Sequence, residues 1–99
     1  MRTNQETVYE KMYQINEAIQ DYNRTVAFEP TNKEAYYHLA RLHYKLDQPR
    51  KSVEYCNKAL GINSKYLEVL ILKTESFISL EQYNNAQEVA DNALDLKKS

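Results

Sequence analysis

The stretch Ala59-Leu60-Gly61-Ile62 recurs 34 residues later as Ala93-Leu94-Asp95-Leu96. Working outward at the same spacing, Leu46 returns as Leu80, Tyr36 as Leu70 and His43 as Phe77. Towards the N-terminus, Met12, Ala18 and Phe28 stand opposite Leu46, Ser52 and Ile62. A fixed period in this range marks a stacked-repeat architecture, in which each unit buries its apolar face only against its neighbour. Three units follow, at roughly residues 1–32, 33–66 and 67–99, within one domain spanning 1–99.

Composition narrows the class. The chain has 99 residues, 42% of them hydrophobic, with nine Tyr, two Phe and no Trp. A single Gly and two Pro argue against a turn-dense β fold and against disorder, and for long helices with short links. Net charge is -1, so no global field favours nucleic acid or an anionic membrane. Residues 33–64 hold six basic and three acidic side chains, between residues 1–32 with three and five and residues 65–99 with four and six. The lone Cys56 cannot form an internal disulfide. The first residues lack an apolar signal core, and no run approaches the ~18 apolar residues of a membrane span. A cytoplasmic setting is the expectation.

Six helices are predicted. Thr3-Asn4-Gln5-Glu6 reads as a capping box opening a helix that runs to about Gln14. A second, near Asn16 to Phe28, carries Ile15, Ala18, Ile19, Tyr22 and Val26 as an apolar stripe and stops at Pro30. Thr31-Asn32-Lys33-Glu34 is another capping box, and the third helix has Tyr36, Leu39, Ala40, His43 and Leu46 on one side. Asp47 is read as an N-cap with Pro49 in the first turn of the fourth helix, which carries Val53, Cys56, Ala59 and Leu60. Gly61 falls in its last turn, and Asn63-Ser64 form the link. The fifth helix covers about Lys65 to Leu80 and the sixth about Tyr83 to Leu96, with Lys97-Lys98-Ser99 fraying. Short links make consecutive helices antiparallel hairpins.

In this register the chain resembles the tetratricopeptide repeat (TPR) family over essentially its whole length. The middle unit shows Tyr36, Leu39, Ala40, His43, Ser52, Cys56 and Ala59 at the family's pattern positions. The third shows Leu70, Lys73, Thr74, Phe77, Ala86, Ala90 and Ala93. The first shows Gln5, Glu6, Tyr9, Ala18, Tyr22, Thr25 and Pro30, so its opening helix is polar and reads as a solvated cap. The resemblance implies an all-α fold: three stacked antiparallel helix hairpins in a right-handed superhelix, an α-α solenoid. It also implies a concave groove lined by the first helix of each hairpin. The groove-facing positions are Thr3, Thr7, Glu10 and Lys11, then Glu34, Tyr37, His38, Arg41, Tyr44 and Lys45, then Glu68, Ile71, Leu72, Glu75, Ile78 and Ser79.

Of these, Tyr37, Arg41, Tyr44, Ile71 and Ile78 are the expected anchors of a partner-binding groove, with His38 and Glu75 setting its polarity. The implied function is a non-enzymatic protein-interaction scaffold or co-chaperone-like adaptor that binds a peptide or helix segment. The alternative is a structural, self-associating repeat segment with an empty groove. One TPR subgroup grips a carboxylate tail through positions that here are Thr3, Thr7, His38, Glu68 and Leu72. None matches that clamp, and Glu68 would repel a carboxylate, so that ligand class is not expected. Val89, Leu94 and Leu96 on the last helix form an expected self-association edge, through which the chain could dimerise. His38 and His43 are five apart, off the spacing that puts two imidazoles on one helix face, and no metal or cofactor is expected. Cys56, on a core position, reads as an inert thiol. No phosphate loop, Ser-His-Asp set or carboxylate pair can be assembled, so no enzyme is expected. The aromatic middle unit could stack bases, but its acidic neighbours argue against nucleic acid.

Overall fold

The computed structural model describes residues 4–98, and the side chains of residues 10–98. Five helices follow one another: α1 (Asn4–Phe28), α2 (Lys33–Lys45), α3 (Pro49–Ile62), α4 (Leu67–Ser79) and α5 (Tyr83–Lys98). The α2–α3 and α4–α5 pairs are antiparallel hairpins that stack through α3 and α4, and α1 packs on α2. The array is elongated, at 50 × 33 × 21 Å. The all-α stacked-repeat expectation is borne out.

The helix count is corrected from six to five, because the first unit does not turn back on itself. The two hairpins show why. Each closes through the same C-terminal cap: Asp47 N–H donates to Tyr44 O and Gln48 N–H to His43 O, and Glu81 and Gln82 repeat this onto Ile78 and Phe77. This double bond pattern is a Schellman motif, which needs a left-handed residue after the helix. Asp47 and Glu81 both supply it, each at φ 60°. Their counterpart one period earlier is Tyr13, a bulky residue poorly suited to that conformation, and no Gly or Pro lies between residues 4 and 28. The helix therefore runs through, for 25 residues.

Smaller corrections follow from local chemistry. Asn32 rather than Thr31 caps α2, its Oδ1 accepting from Ala35 N–H at 3.0 Å. Asp47 is the turn residue rather than the cap of α3. The cap position belongs to Gln48, and Pro49 opens the helix as expected. Asn63 Oδ1 accepts from Lys65 N–H in the link to α4, which starts at Leu67. Lys97 and Lys98 continue α5 instead of fraying, which suits the negative end of its dipole. The Thr3 capping box lies outside the described residues, as do the side chains of Gln5, Glu6 and Thr7.

Small residues set the spacing of the core. Ala40, Cys56 and Ala59 are fully buried with Val69 and Leu72 where α2, α3 and α4 meet, and Tyr36, Tyr37, Tyr44, Tyr55 and Tyr66 pack around them. Ser52 and Ser76 are also fully buried, and Ser76 Oγ donates to Ser52 Oγ at 3.0 Å. Two hydroxyls satisfying each other let α3 and α4 approach closely without an orphaned polar group. A second cluster, Leu70, Val89 and Ala93, fills the α4–α5 hairpin with Phe77, Leu67, Leu60 and Leu96 around it.

Candidate functional site

The stack places α2 and α4 side by side, leaving a depression of about 310 Å³ between them. From α2 come Tyr37, Arg41, Tyr44 and Lys45, and from α4 Glu68, Ile71, Leu72 and Glu75. Steps of 4 and 3 residues put Tyr37, Arg41 and Tyr44 on one helix face. Tyr37 is held from two sides: its ring meets Tyr66 at 5.5 Å, and the Arg41 guanidinium lies 5.8 Å from its centroid. Both contacts hold the Tyr37 ring in place at the cleft. Charge divides across the cleft, Arg41 and Lys45 on the α2 wall and Glu68 and Glu75 on the α4 wall. The Tyr66 hydroxyl is pushed above its ordinary range by burial, with Glu34, Glu68 and Tyr37 adding to the effect.

Among the expected groove residues, Tyr37, Arg41, Tyr44, Ile71 and Glu75 are brought together here. His38 instead turns toward α1, stacked on Tyr22 at 5.0 Å, so it joins two elements of the scaffold. Ile78 is 49% exposed and stands outside the depression. Two aromatic partners, Tyr22 and Tyr66, were not read from the sequence as supports of the groove. The spacing Tyr37–Tyr66 crosses a hairpin, and no periodic signal links them. Thr3 lies outside the described residues, and so does the side chain of Thr7. Glu10 and Lys11 are exposed on α1.

At the other end of the stack, α4 and α5 border a second depression, of about 290 Å³. It is lined by Ile71, Thr74, Ala90, Ala93, Leu94 and Lys97, with Leu67 and Glu75. The expected edge is corrected at Val89, which is 8% exposed and faces Leu70 in the core, because its helix position points into the hairpin. Leu94 is 54% exposed, whereas Leu96 is partly buried against the core cluster.

Elsewhere the polar groups serve the scaffold. His43 Nδ1 lies 2.8 Å from Gln48 Oε1, and its ring stacks on Tyr55 at 5.2 Å. Burial pushes the Cys56 thiol up to about 12, outweighing a hydrogen bond with Ser52 and the charge of Lys73. Such a thiol stays protonated and is a poor nucleophile. No group of three or more His, Cys, Asp or Glu side chains suited to a metal occurs among the described residues. No helix among them is long and apolar enough to cross a membrane.

Solved structures with this arrangement are TPR domains. The first TPR of Spaghetti (RPAP3), bound to the HSP90 peptide SRMEEVD, superposes with a TM-score of 0.83 at 20% identity, covering 97% of this chain and 76% of that one. The TPR2B domain of yeast Sti1, in a complex with pHsp70, gives 0.81 at 22% identity, covering 91% and 72%. The second TPR of Spaghetti, with the same HSP90 peptide, gives 0.81 at 18% identity, covering 94% and 86%. At these identities the likeness establishes the fold. No curated protein matches the sequence. A family model does, over residues 11–93, from the first half of α1 to Ala93 of α5. The chain therefore belongs to the family described as anaphase-promoting complex, cyclosome, subunit 3, a family of the tetratricopeptide repeat type.

Proposed function

We propose that this chain is a non-enzymatic protein-interaction module that takes a peptide or helix segment of a partner between α2 and α4. The observation that carries this reading is the cleft itself: Tyr37, Tyr44 and Ile71 present partly exposed apolar surface from a rigid stack. A preformed cleft spares the protein its own ordering cost, so more of the contact energy becomes affinity. Arg41 and Glu75 on opposite walls orient the ligand, Ile78 extends the apolar surface beyond the cleft, and His38 holds the α1–α2 joint behind it. The related structures, solved with HSP90 or Hsp70 ligands, support peptide capture as a use of this scaffold. The carboxylate-clamp positions are Thr3, Thr7, His38, Glu68 and Leu72 here, and Leu72 is 7% exposed. An acidic chaperone tail is thus the wrong ligand for this cleft. An adaptor or scaffold role in the cytoplasm, without nucleic acid, membrane or cofactor, completes the reading.

A second reading is favoured by the open depression at α4–α5. Leu94 there, with Ile71 beside it, forms an edge for self-association, which suits a repeat segment within a larger assembly.

Peptides selected from a displayed random library against the whole chain test the groove. Binding should weaken about 30-fold or more on Tyr37→Ala with Ile71→Ala, the effect of losing about 2 kcal/mol of anchor contacts. The peptide SRMEEVD should not compete. Selected peptides indifferent to the double substitution would overturn the groove assignment.

A further inference from the structure

The charges of the cleft find no ion-pair partners across it. Arg41 and Lys45 on α2 and Glu68 and Glu75 on α4 are all exposed, two of each sign on facing walls. Among the described residues the salt bridges are Arg24–Asp21, at 3.6 Å, and Lys33–Glu34, at 3.9 Å, and neither uses a residue of the walls. Both signs thus remain available to something lying between the helices.

The positive side does not end at α2. A depression of about 470 Å³ between α1 and α2 adjoins the cleft, because Lys45 lines both. Lys11 enters it from α1, one 34-residue period before Lys45, and Ile15 and Leu42 line it beside the two lysines. Among the described residues its lining holds no carboxylate. On the negative side, burial, with Glu34 and Glu68 adding to it, holds the Tyr66 hydroxyl above its ordinary range, so the field of these carboxylates reaches the start of α4. Crossing the helices from α1 to α4, the surface is basic at Lys11, Lys45 and Arg41 and acidic at Glu68 and Glu75, with Tyr44 and Ile71 supplying apolar surface in the cleft. Packed helix axes lie about 9 Å apart, so this line spans about 18 Å, the reach of about six residues of extended chain. A ligand helix, about 10 Å across, would sit over one depression, whereas an extended chain reaches both.

We propose that the partner segment is an extended stretch of about six residues with an acidic side chain at one end, an apolar one in the middle and a basic one at the other. This rests on the cleft reading above and names the class of ligand within it. The acidic side chain lies against Lys45 and Lys11, the apolar one on Tyr44 and Ile71, and the basic one against Glu68 and Glu75. A segment of a single sign meets like charge at one end, so the order of charges selects the ligand more than it tightens it.

Three short-peptide display libraries, panned on the whole chain, test this. One places acidic and basic positions on opposite sides of a central apolar residue, in both orders. The others carry acidic positions alone or basic positions alone around the same centre. The mixed library should yield the binders. Their affinity should fall about tenfold on Lys11→Glu with Lys45→Glu, the effect of reversing two exposed charge contacts. Arg41 is left in place because its guanidinium lies over the Tyr37 ring. That reversal should turn selection to the basic library, and Glu68→Lys with Glu75→Lys should turn it to the acidic one. All four positions are exposed, so helicity by circular dichroism should be kept. Binders that ignore both reversals but are lost on Tyr37→Ala with Ile71→Ala, or that come equally from all libraries, would overturn the charge order and leave the cleft standing. Binders indifferent to Tyr37→Ala with Ile71→Ala, or none from any library, would remove the cleft reading and this inference with it.

Discussion

The middle and third units share a register but not a fate. Ala40, Cys56 and Ala59 are fully buried, because α4 lies across them. Their counterparts Thr74 and Ala90 are half-buried, Ala93 keeps 9% of its surface, and Leu94 stands 54% exposed where Leu60 is half-buried. Similar side chains on similar helices thus owe their burial to what stacks on them rather than to their own unit. This is the physical content of a repeat protein: stability resides in the joints between units, and an end unit lacks one. The joint between the middle and third units also lines the proposed binding cleft, so the proposed surface rests on the best-buried part of the molecule.

The largest test of that contrast compares two leucines. Leu39 is fully buried in the middle unit, and Leu39→Ala should cost about 3 kcal/mol in urea unfolding. Leu94→Ala, at the uncovered end, should cost well under about 1 kcal/mol in the monomer. Equal costs would break the comparison.

The thiol gives a second, pH-dependent contrast. Burial raises Cys56 from the ordinary thiol value of 9.0 to about 12, so the folded chain keeps this proton when the unfolded chain has lost it. The contribution is intact below the ordinary value and is lost as pH climbs through the window up to about 12. The slope is at most about 1.4 kcal/mol per pH unit. Stability should therefore fall more steeply with alkaline pH in the native sequence than in Cys56→Ala. In the native state Cys56 should resist thiol reagents, whereas Ala90→Cys in the Cys56→Ala background, one unit later, should label readily. Fast labelling of Cys56 would deny the seal.

The smallest effect concerns the hydroxyl pair at the joint. Ser52→Ala leaves Ser76 without its acceptor and should cost about 1 kcal/mol or somewhat more. Adding Ser76→Ala should recover much of that loss, since no serine hydroxyl is then left unpaired. A double variant as unstable as the sum of both singles would mean that packing, not hydrogen bonding, governs the contact.

Much of this is legible in the sequence. Pro30, Pro49 and the spacing of apolar residues mark where the later helices stop and start, and the period pairs Ala59 with Ala93. The turn at Asp47 is visible as a break but its chemistry is not: an aspartate before a helix suggests a cap, whereas its φ of 60° makes it the left-handed residue that ends the preceding helix. The fate of Tyr13 is hidden for the same reason, because the period predicts a turn there and only the conformational demand of that turn refuses it. In the cleft, Tyr37, Arg41, Tyr44 and Ile71 were readable because they lie on single helices at helical steps. The supports were not. Tyr22 under His38 and Tyr66 beside Tyr37 join different elements, and contacts across elements leave no periodic trace in one sequence.

The central claim is that a partner segment binds between α2 and α4. The most direct measurement follows backbone and methyl NMR signals of the whole chain while a library-selected peptide is titrated in. The account predicts shift changes centred on Tyr37, Arg41, Tyr44 and Ile71, with Leu94 and Met12 unmoved. Changes centred on Leu94 and the α5 edge, with the cleft silent, would contradict it.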